Sequence, residues 1–572
     1  MNTVTVSPAA LVAASALALL GGVGVSVPAS AATVSVGTEA ELNAAIVAAN
    51  ADADPDVITL TGGGFVLTAA IAPITSDISI VGPGSGDFLI DGADAHSGFT
   101  ADPGGSDVPT VSISGVTVTR ASPIAILVNT GLLTLDDVIV TENYYGVFCG
   151  SDASLSIANS IFSNNDDFGV SARLGIDGTA HIENSVFDGN ATGLQVFLED
   201  AASATISDVQ ARDNLDRGVI VASNSVEPVT VSGVDAQGNG RNVTLRTGLV
   251  PQGSTATISA SGIVATGATT GVGLYVSADQ DSVVDISSST ISDNPGGGVF
   301  VSNEGISGGT VTLTESTIRG NGDGTGLGAG VQFVNNDGMN LGITATTVSG
   351  NSAAQGGGIY SGLSDGASLS VVNSTISGNT AHSAGGVSLT GTGTATISHS
   401  TITDNESTAS DAAVWVAAAP TTFSHTIVAG NRSVGASADL QGTGITVNRS
   451  LVQTANPDAT TALSAGVGNI VGRAPQLGPL ADNGGPTLTH LPTAESPAVN
   501  AGDPTIAGAP ALDQRGAARV VGVIDIGSVE IPAVLAATGS GSGAPLAIGA
   551  ALTLLAGVAL VVSKRRRSVH RH

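Results

Sequence analysis

The chain has 572 residues, 42% hydrophobic, 3% aromatic and 11% charged, with 78 glycines and a formal net charge of -30. So apolar a chain with so few charges is not disordered, and glycine without a three-residue period is not collagen. Between Ala32 and Thr538 there are 47 acids against 12 arginines and no lysine, a balance of -35, which argues against nucleic acid and anionic lipid as partners and favours divalent cations or basic partners.

Taken from the start, residues 1–31 read as an export signal. Ala9 to Val27 is apolar, and Ala29-Ser30-Ala31 before Ala32 offers the small-x-small pattern a signal peptidase accepts, although no Lys or Arg precedes it. Residues 32–110 are expected to hold an N-terminal cap and the first coils. Thr38-Glu39-Ala40-Glu41 has the form of a capping box, and Leu42, Ala45, Ile46 and Ala49 give the following helix one apolar stripe. Val57-Ile58-Thr59-Leu60 and Ile78-Ser79-Ile80-Val81-Gly82-Pro83-Gly84 follow as strands. This pair resembles the opening region of bacterial surface β-helix proteins.

Residues 111–432 repeat one phrase: alternating apolar residues, Ser/Thr-Ile/Val/Phe, two turn residues and Asn. It is clear at Ser160–Asn165, Ser185–Asn190, Thr290–Asn294 and Thr317–Asn321, with copies ending at Asn351, Asn379, Asn405 and Asn431. Weaker copies end near Ala121, Asn143, Asn214, Asn239 and Ala268, giving steps of 22 to 30 residues. Short strands such as Leu155–Ile157 and Ala395–Ile397, separated by Gly, Asn and Asp at this spacing, predict an all-β right-handed parallel β-helix. Thirteen coils stacked about 4.8 Å apart would make a rod on the order of 60 Å long, with Asn side chains forming a ladder at one corner. Cys149, the one cysteine, has flanks Tyr-Gly-Val-Phe and reads as a small buried residue rather than a nucleophile.

Residues 433–532 change character. Asp482–Thr487, Ser496–Asp503, Asp513-Gln514-Arg515-Gly516 and Asp525–Glu530 occur in an order that resembles the choice-of-anchor Q module, which closes β-helix surface proteins. A loop-rich C-terminal cap is the expectation, with Arg515 drawing on Asp513, Asp525 and Glu530, and calcium as a further possibility among these carboxylates. In residues 533–572, Leu535-Ala536-Ala537-Thr538-Gly539 precedes an apolar run from Pro545 to Val562 and then Lys564-Arg565-Arg566-Arg567. This resembles a sortase sorting signal, the Leu-Ala-x-Thr-Gly variant of the Leu-Pro-x-Thr-Gly motif. The resemblance implies a Gram-positive cell-wall protein whose Thr538 carbonyl is attacked by sortase and passed to a peptidoglycan precursor. The apolar run would be a transmembrane helix of about 27 Å, its only membrane contact.

No catalytic, cofactor-binding or metal residues are assigned. Many parallel β-helices cleave acidic polysaccharides, but Gly-His-Gly and Arg-x-Lys are absent, Asp136-Asp137 and Asp166-Asp167 fall at turns, and a polyanion would meet a net charge of -35. A second column six residues before the Asn landmarks holds Asp137, Asn159, Asn184, Asp208, Glu315, Asn373, His399 and His425; its stretch from Asp137 to Asp208 is the candidate for calcium or acid–base work, and the two histidines for a shared metal, beside the reading of a plain polar stack. Glycan binding would draw on Trp415, Tyr144, Tyr145, Tyr275 and Tyr360, with one of Tyr144 and Tyr145 inside and one outside. The main reading is a wall-anchored adhesion or interaction scaffold with an unknown protein or glycan ligand. The alternative is a surface polysaccharide lyase or glycoside hydrolase, which carboxylates converging with an arginine, as in Asp166, Asp167 and Arg173, would favour.

Sortase-polymerised pilus shafts, as a family, join subunits through a lysine amine in the folded body, and this chain has none between Ala32 and Thr538. A denaturing gel of wall extracts should therefore show single-copy attachment. A ladder of covalent oligomers would refute it.

Overall fold

The computed structural model describes residues 32–531 except 52–53, 102–107, 252, 304–307, 410, 435–438, 507–508 and 520–522. Ala29, Ala31 and the Leu535–Gly539 motif lie outside the described residues, as does the apolar run at Pro545–Val562. Ala32 is the first described residue. No helix among the described residues is long and apolar enough to cross a membrane.

The chain winds into a parallel β-helix. Each coil contributes a strand to three sheets, exemplified by Thr179–Glu183, Val186–Asp188 and Thr192–Asp200, and each strand pairs in parallel and in register with its counterpart one coil away. The alternating pattern buries one residue in two. Along the first sheet this builds an unbroken file through Leu135, Ile157, Ile182, Ile206, Val231, Ala260, Ile286, Leu313, Ile343, Val371, Ile397, Phe423 and Val447, all at most 3% exposed. Inside the next corner Phe162 and Phe187 stack at 5.2 Å. Cys149 is fully buried, and burial pushes its thiol up to about 12, where it is inert.

The corners explain the columns of the sequence. Asp137, Asn159, Asn184, Asp208, Glu315, Asn373, His399 and His425 share φ between 47° and 52°, the left-handed turn between the first and second strands. Asn and Asp enter that region most readily. A second left-handed residue, such as Asn164, Asp213 or Gly320, precedes each Asn landmark. The landmark side chain then points inward. Asn321 is typical: its Nδ2 donates to Ile291 O at 3.0 Å and to Asn351 Oδ1 at 2.9 Å, while its Oδ1 accepts from the backbone N and Nδ2 of Asn294. The ladder runs from Asn143 through Asn165, Asn190, Asn214 and Asn239, and from Asn294 to Asn431, where Asp439 ends it. Ala268 would break it between these halves. Asn242, three residues off the landmark, fills the gap by donating to Asn294 Oδ1 at 3.0 Å and accepting from Asn239 Nδ2 at 2.9 Å.

Helix α1 (Glu39–Ala49) covers the first coil with Leu42, Ile46 and Ala49 buried, its start capped by Thr38. At the other end α2 (Pro457–Ala465) packs Ala459 and Leu463 on the last coils, capped by Asn456. The segment after α2 corrects the expectation of a loop-rich cap over the end of the rod. Residues 475–531 turn back and lie along the second sheet as a lateral clasp. Gln514 reaches Thr347 and Thr375, Ser528 reaches Thr401, and Asp503 N donates to His425. Its hairpin, Leu477–Ala481 with Thr489–Pro492, is the one antiparallel strand pair among the described residues.

Asn242→Ala should orphan buried groups and lower stability by about 2 kcal/mol in chemical denaturation, although Asn242 lies off the repeat. Thr394→Ala on the exposed side of its strand should change it by less than about 0.5 kcal/mol.

Candidate functional site

The third sheet gathers the surface aromatics. Its strands include Tyr145–Ala158, Phe168–Leu174, Thr192–Asp200, Arg217–Ser225, Arg241–Thr247 and Leu274–Ala278. Following the register, the half-buried Phe148, Tyr275, Phe300, Tyr360 and Trp415 fall in a single outward-pointing column, with half-buried Gln195 and Gln332 and the covered Ser171, Ile220, Thr244 and Ser388 at the steps between. At roughly 4.8 Å per step that file is about 50 Å long. Tyr275 and Phe300 stack at 5.4 Å and 10°. Four of the twelve arginines in the body stand on the same sheet, and each has a partner there. Arg173 lies 5.2 Å over Phe197, Arg241 lies 4.7 Å over Tyr275, Arg217 pairs with Asp216 at 3.7 Å, and Arg246 sits beside Asp279. Burial, then the neighbouring Arg217, lowers the pKa of Arg241.

At the N-terminal end of this file a groove of about 570 Å³ opens on Tyr145, Phe148 and Phe168. Tyr145 and Phe168 stack at 4.9 Å and 16°, and Phe148 lies 6.3 Å from Phe168. Asp167, Ser171, Arg173 and Gln195 supply its polar lining, with Gln195 Nε2 donating to Ser171 Oγ at 2.8 Å. The structure thus brings Asp167 and Arg173 to one groove but leaves Asp166 outside it. Tyr144 and Tyr145 do not divide into one ring in and one out. Tyr144 is exposed, Tyr145 is half-buried, and the rings meet edge to face at 4.5 Å.

The other sequence candidates resolve differently. Asp137, Asn159, Asn184 and Asp208 are exposed corner residues related by backbone conformation. Asp137 is bonded to Ser85 and Asn159 to Asp136. His399 and His425 do meet on adjacent coils, at 4.7 Å with planes 3° apart. Face-to-face rings direct their nitrogens side by side rather than at one ion, and both nitrogens of His425 are engaged, with Ser424 Oγ and with Asp503 N. In the clasp, Arg515 binds Asp513 Oδ2 at 2.8 Å and the Glu530 carbonyl at 2.6 Å, whereas Asp525 accepts from Asn500 N and Ile531 N. No group of three or more His, Cys, Asp or Glu suited to a metal occurs among the described residues. Arg519 went unnoticed in the sequence. It is fully buried, donates to Asn373 Oδ1 at 2.8 Å and Gly527 O at 2.7 Å, and faces Glu530 at 3.7 Å.

The family described as right handed beta helix region matches residues 98–262 and 272–452. No curated protein matches the chain. Among solved structures, the A-module of the Azotobacter vinelandii mannuronan C-5 epimerase AlgE4 is 14% identical over 70% of this chain and 96% of its own, with a TM-score of 0.33. Pectate lyase Pel9A is 13% identical over 88% of this chain and 97% of its own, at 0.26. The PL6 family alginate lyase AlyGC is 10% identical over 74% and 93%, at 0.21.

Burial lowers His399 to about 3 and His425 to about 4, with the nearby Arg519 adding to the first. Both folded values lie below the ordinary histidine range near 6.5. The neutral form of His425, which accepts from Asp503 N, therefore helps hold the clasp at neutral pH, and the cost of charging either buried ring removes stability as pH falls from about 6.5 toward those values, on the order of 2 kcal/mol each. Hydrogen exchange in residues 475–531, corrected for intrinsic rate, should accelerate between pH 7 and pH 4 more than exchange in residues 160–300.

Proposed function

The chain belongs to the right-handed β-helix family, and from that premise we propose that it is an exported, wall-attached rod whose third sheet binds polysaccharide. The observation that carries this is the single outward column of Phe148, Tyr275, Phe300, Tyr360 and Trp415, opening at its first step into the Tyr145–Phe168 groove. Aromatic faces accept the C–H face of a sugar ring, while neighbouring Ser, Gln and Arg side chains meet its hydroxyls. Of the sixteen aromatic residues, five stand in this column, among them the one tryptophan and two of the four tyrosines.

Support for an extracellular setting comes from the sequence. Ala29-Ser30-Ala31 before Ala32 would end the export signal, and the Leu535–Gly539 motif would hand Thr538 to sortase and the peptidoglycan precursor. Residues 433–532 would serve as the choice-of-anchor Q module between rod and anchor. Binding without chemistry and surface polysaccharide cleavage by a lyase or hydrolase share this face. The second reading is favoured by one observation: a carboxylate, a phenol and a guanidinium, Asp167, Tyr145 and Arg173, line the same groove. Those groups are suited to acid–base work on a bound glycan.

Affinity electrophoresis against a polysaccharide panel should show retardation of the Ala32–Thr538 fragment, reduced about tenfold by Tyr145→Ala, since stacking on one ring contributes energy of this order. Equal retardation of wild type and variant on every polymer would contradict the proposal. Release of reducing or unsaturated ends, lost in Asp167→Asn, would move the assignment to the enzymatic reading.

A further inference from the structure

From the strand Thr192–Asp200 onward, whose Gln195 lines the groove, the same sheet holds a second, smaller pocket of about 200 Å³, lined by Phe197, Ala222, Asn224, Arg246, Thr247 and Asp279 among others. Its origin is legible in the register. Arg173, Phe197, Ala222, Arg246 and Ser277 succeed one another across five strands, and the small Ala222 between Phe197 and Arg246 leaves the space. Gly248 shapes its wall, because a Cβ there would come 2.0 Å from Asn224 Oδ1.

The pocket carries polar groups that the fold does not satisfy. Asp279 is 7% exposed and its Oδ1 has no hydrogen-bond partner; Thr247 is 3% exposed and its Oγ1 likewise has none. A buried acceptor without a donor costs free energy on the order of a lost hydrogen bond. Thr247 faces inward, in one file with Leu198, Ser223 and Ala278, whereas Asp279, just past its strand, continues the outward positions of Tyr275 and Ser277 and lines the pocket with its Oδ1 unpaired. We propose that this pocket is a second sugar subsite, in which adjacent hydroxyls of an uncharged pyranose donate to Asp279 and accept from Arg246 and Asn224. The inference rests on the polysaccharide reading and narrows its substrate class. An anionic sugar would set its carboxylate or sulfate against Asp279 on a body of net charge -35, whereas a hydroxyl supplies the donor that Oδ1 lacks. Phe197, already covered by Arg173, bounds the pocket on the side of the first groove.

From the Phe168 strand to the Arg246 strand is three steps, about 14 Å. A disaccharide on the Tyr145 platform does not reach Asp279, and a longer oligomer does, so the second contact becomes intramolecular once the first is made. Calorimetric titration of the Ala32–Thr538 fragment with an uncharged β-1,4-linked hexose series, from disaccharide to hexasaccharide, should show affinity rising about tenfold when the oligomer spans both sites. Asp279→Leu, the exposed Asn224→Ala and the pocket-filling Ala222→Trp should each abolish that rise and leave disaccharide binding unchanged. The matching uronate series should bind more weakly at every length. An unaltered length dependence in Asn224→Ala and Ala222→Trp, or tighter binding of uronates, would overturn the subsite and leave the Tyr145 groove standing. Absence of binding by any oligomer to wild type would overturn both.

Discussion

One constraint governs this molecule: a coil of 22 to 30 residues has no core of its own and becomes stable only when its backbone and its buried corner amide are taken up by the coil above and the coil below. The Asn side chain meets both demands. Its NH2 donates to a backbone carbonyl of the preceding coil and to the amide oxygen of the next, and its own carbonyl accepts from the landmark before it, as Asn321 does with Ile291, Asn351 and Asn294. Each link fixes the register of its neighbour, so the aliphatic files line up without further instruction. The substitution of Asn242 for the missing Asn at Ala268 shows how strictly the corner is kept, since the position that supplies the amide moved while the amide stayed.

That register is what makes a functional surface. Tyr275 and Trp415 are 140 residues apart in sequence and stand in one column because every strand between them pairs in step. The same rigidity suits a linear polymer, whose repeating rings meet repeating side chains at a fixed spacing. Charge is sorted by the same means. Eleven of the 47 acids take left-handed corners, where Asp is favoured by backbone geometry, while four of the twelve arginines of the body stand on the aromatic sheet.

How much was legible in the sequence follows from which spacings are constant. The distance from the left-handed corner to the Asn landmark hardly varies, so strands, ladder and corner column could be read from residue types alone. The third strand follows a turn of variable length: Phe148 lies five residues after Asn143, Gln332 eleven after Asn321, and Trp415 ten after Asn405. An aromatic file on that strand has no fixed period to betray it. The corner column illustrates the opposite error, in which Asp137, Asn184 and His399 look like a chemical series but share only a dihedral angle. The clasp was hidden for another reason. Its turn motifs are local, whereas its direction is set by long-range partners such as Arg519 with Asn373 and Gln514 with Thr347, which no sequence separation announces.

The account turns on whether the aromatic sheet is one continuous ligand surface. Hydroxyl-radical footprinting of the Ala32–Thr538 fragment with and without a retained polysaccharide reads this directly, residue by residue. The account predicts joint protection of Tyr145, Tyr275, Tyr360 and Trp415 with no change on the first sheet, for instance at His181. Protection confined to the corners, the clasp or the first sheet, with these four rings as reactive as before, would contradict it.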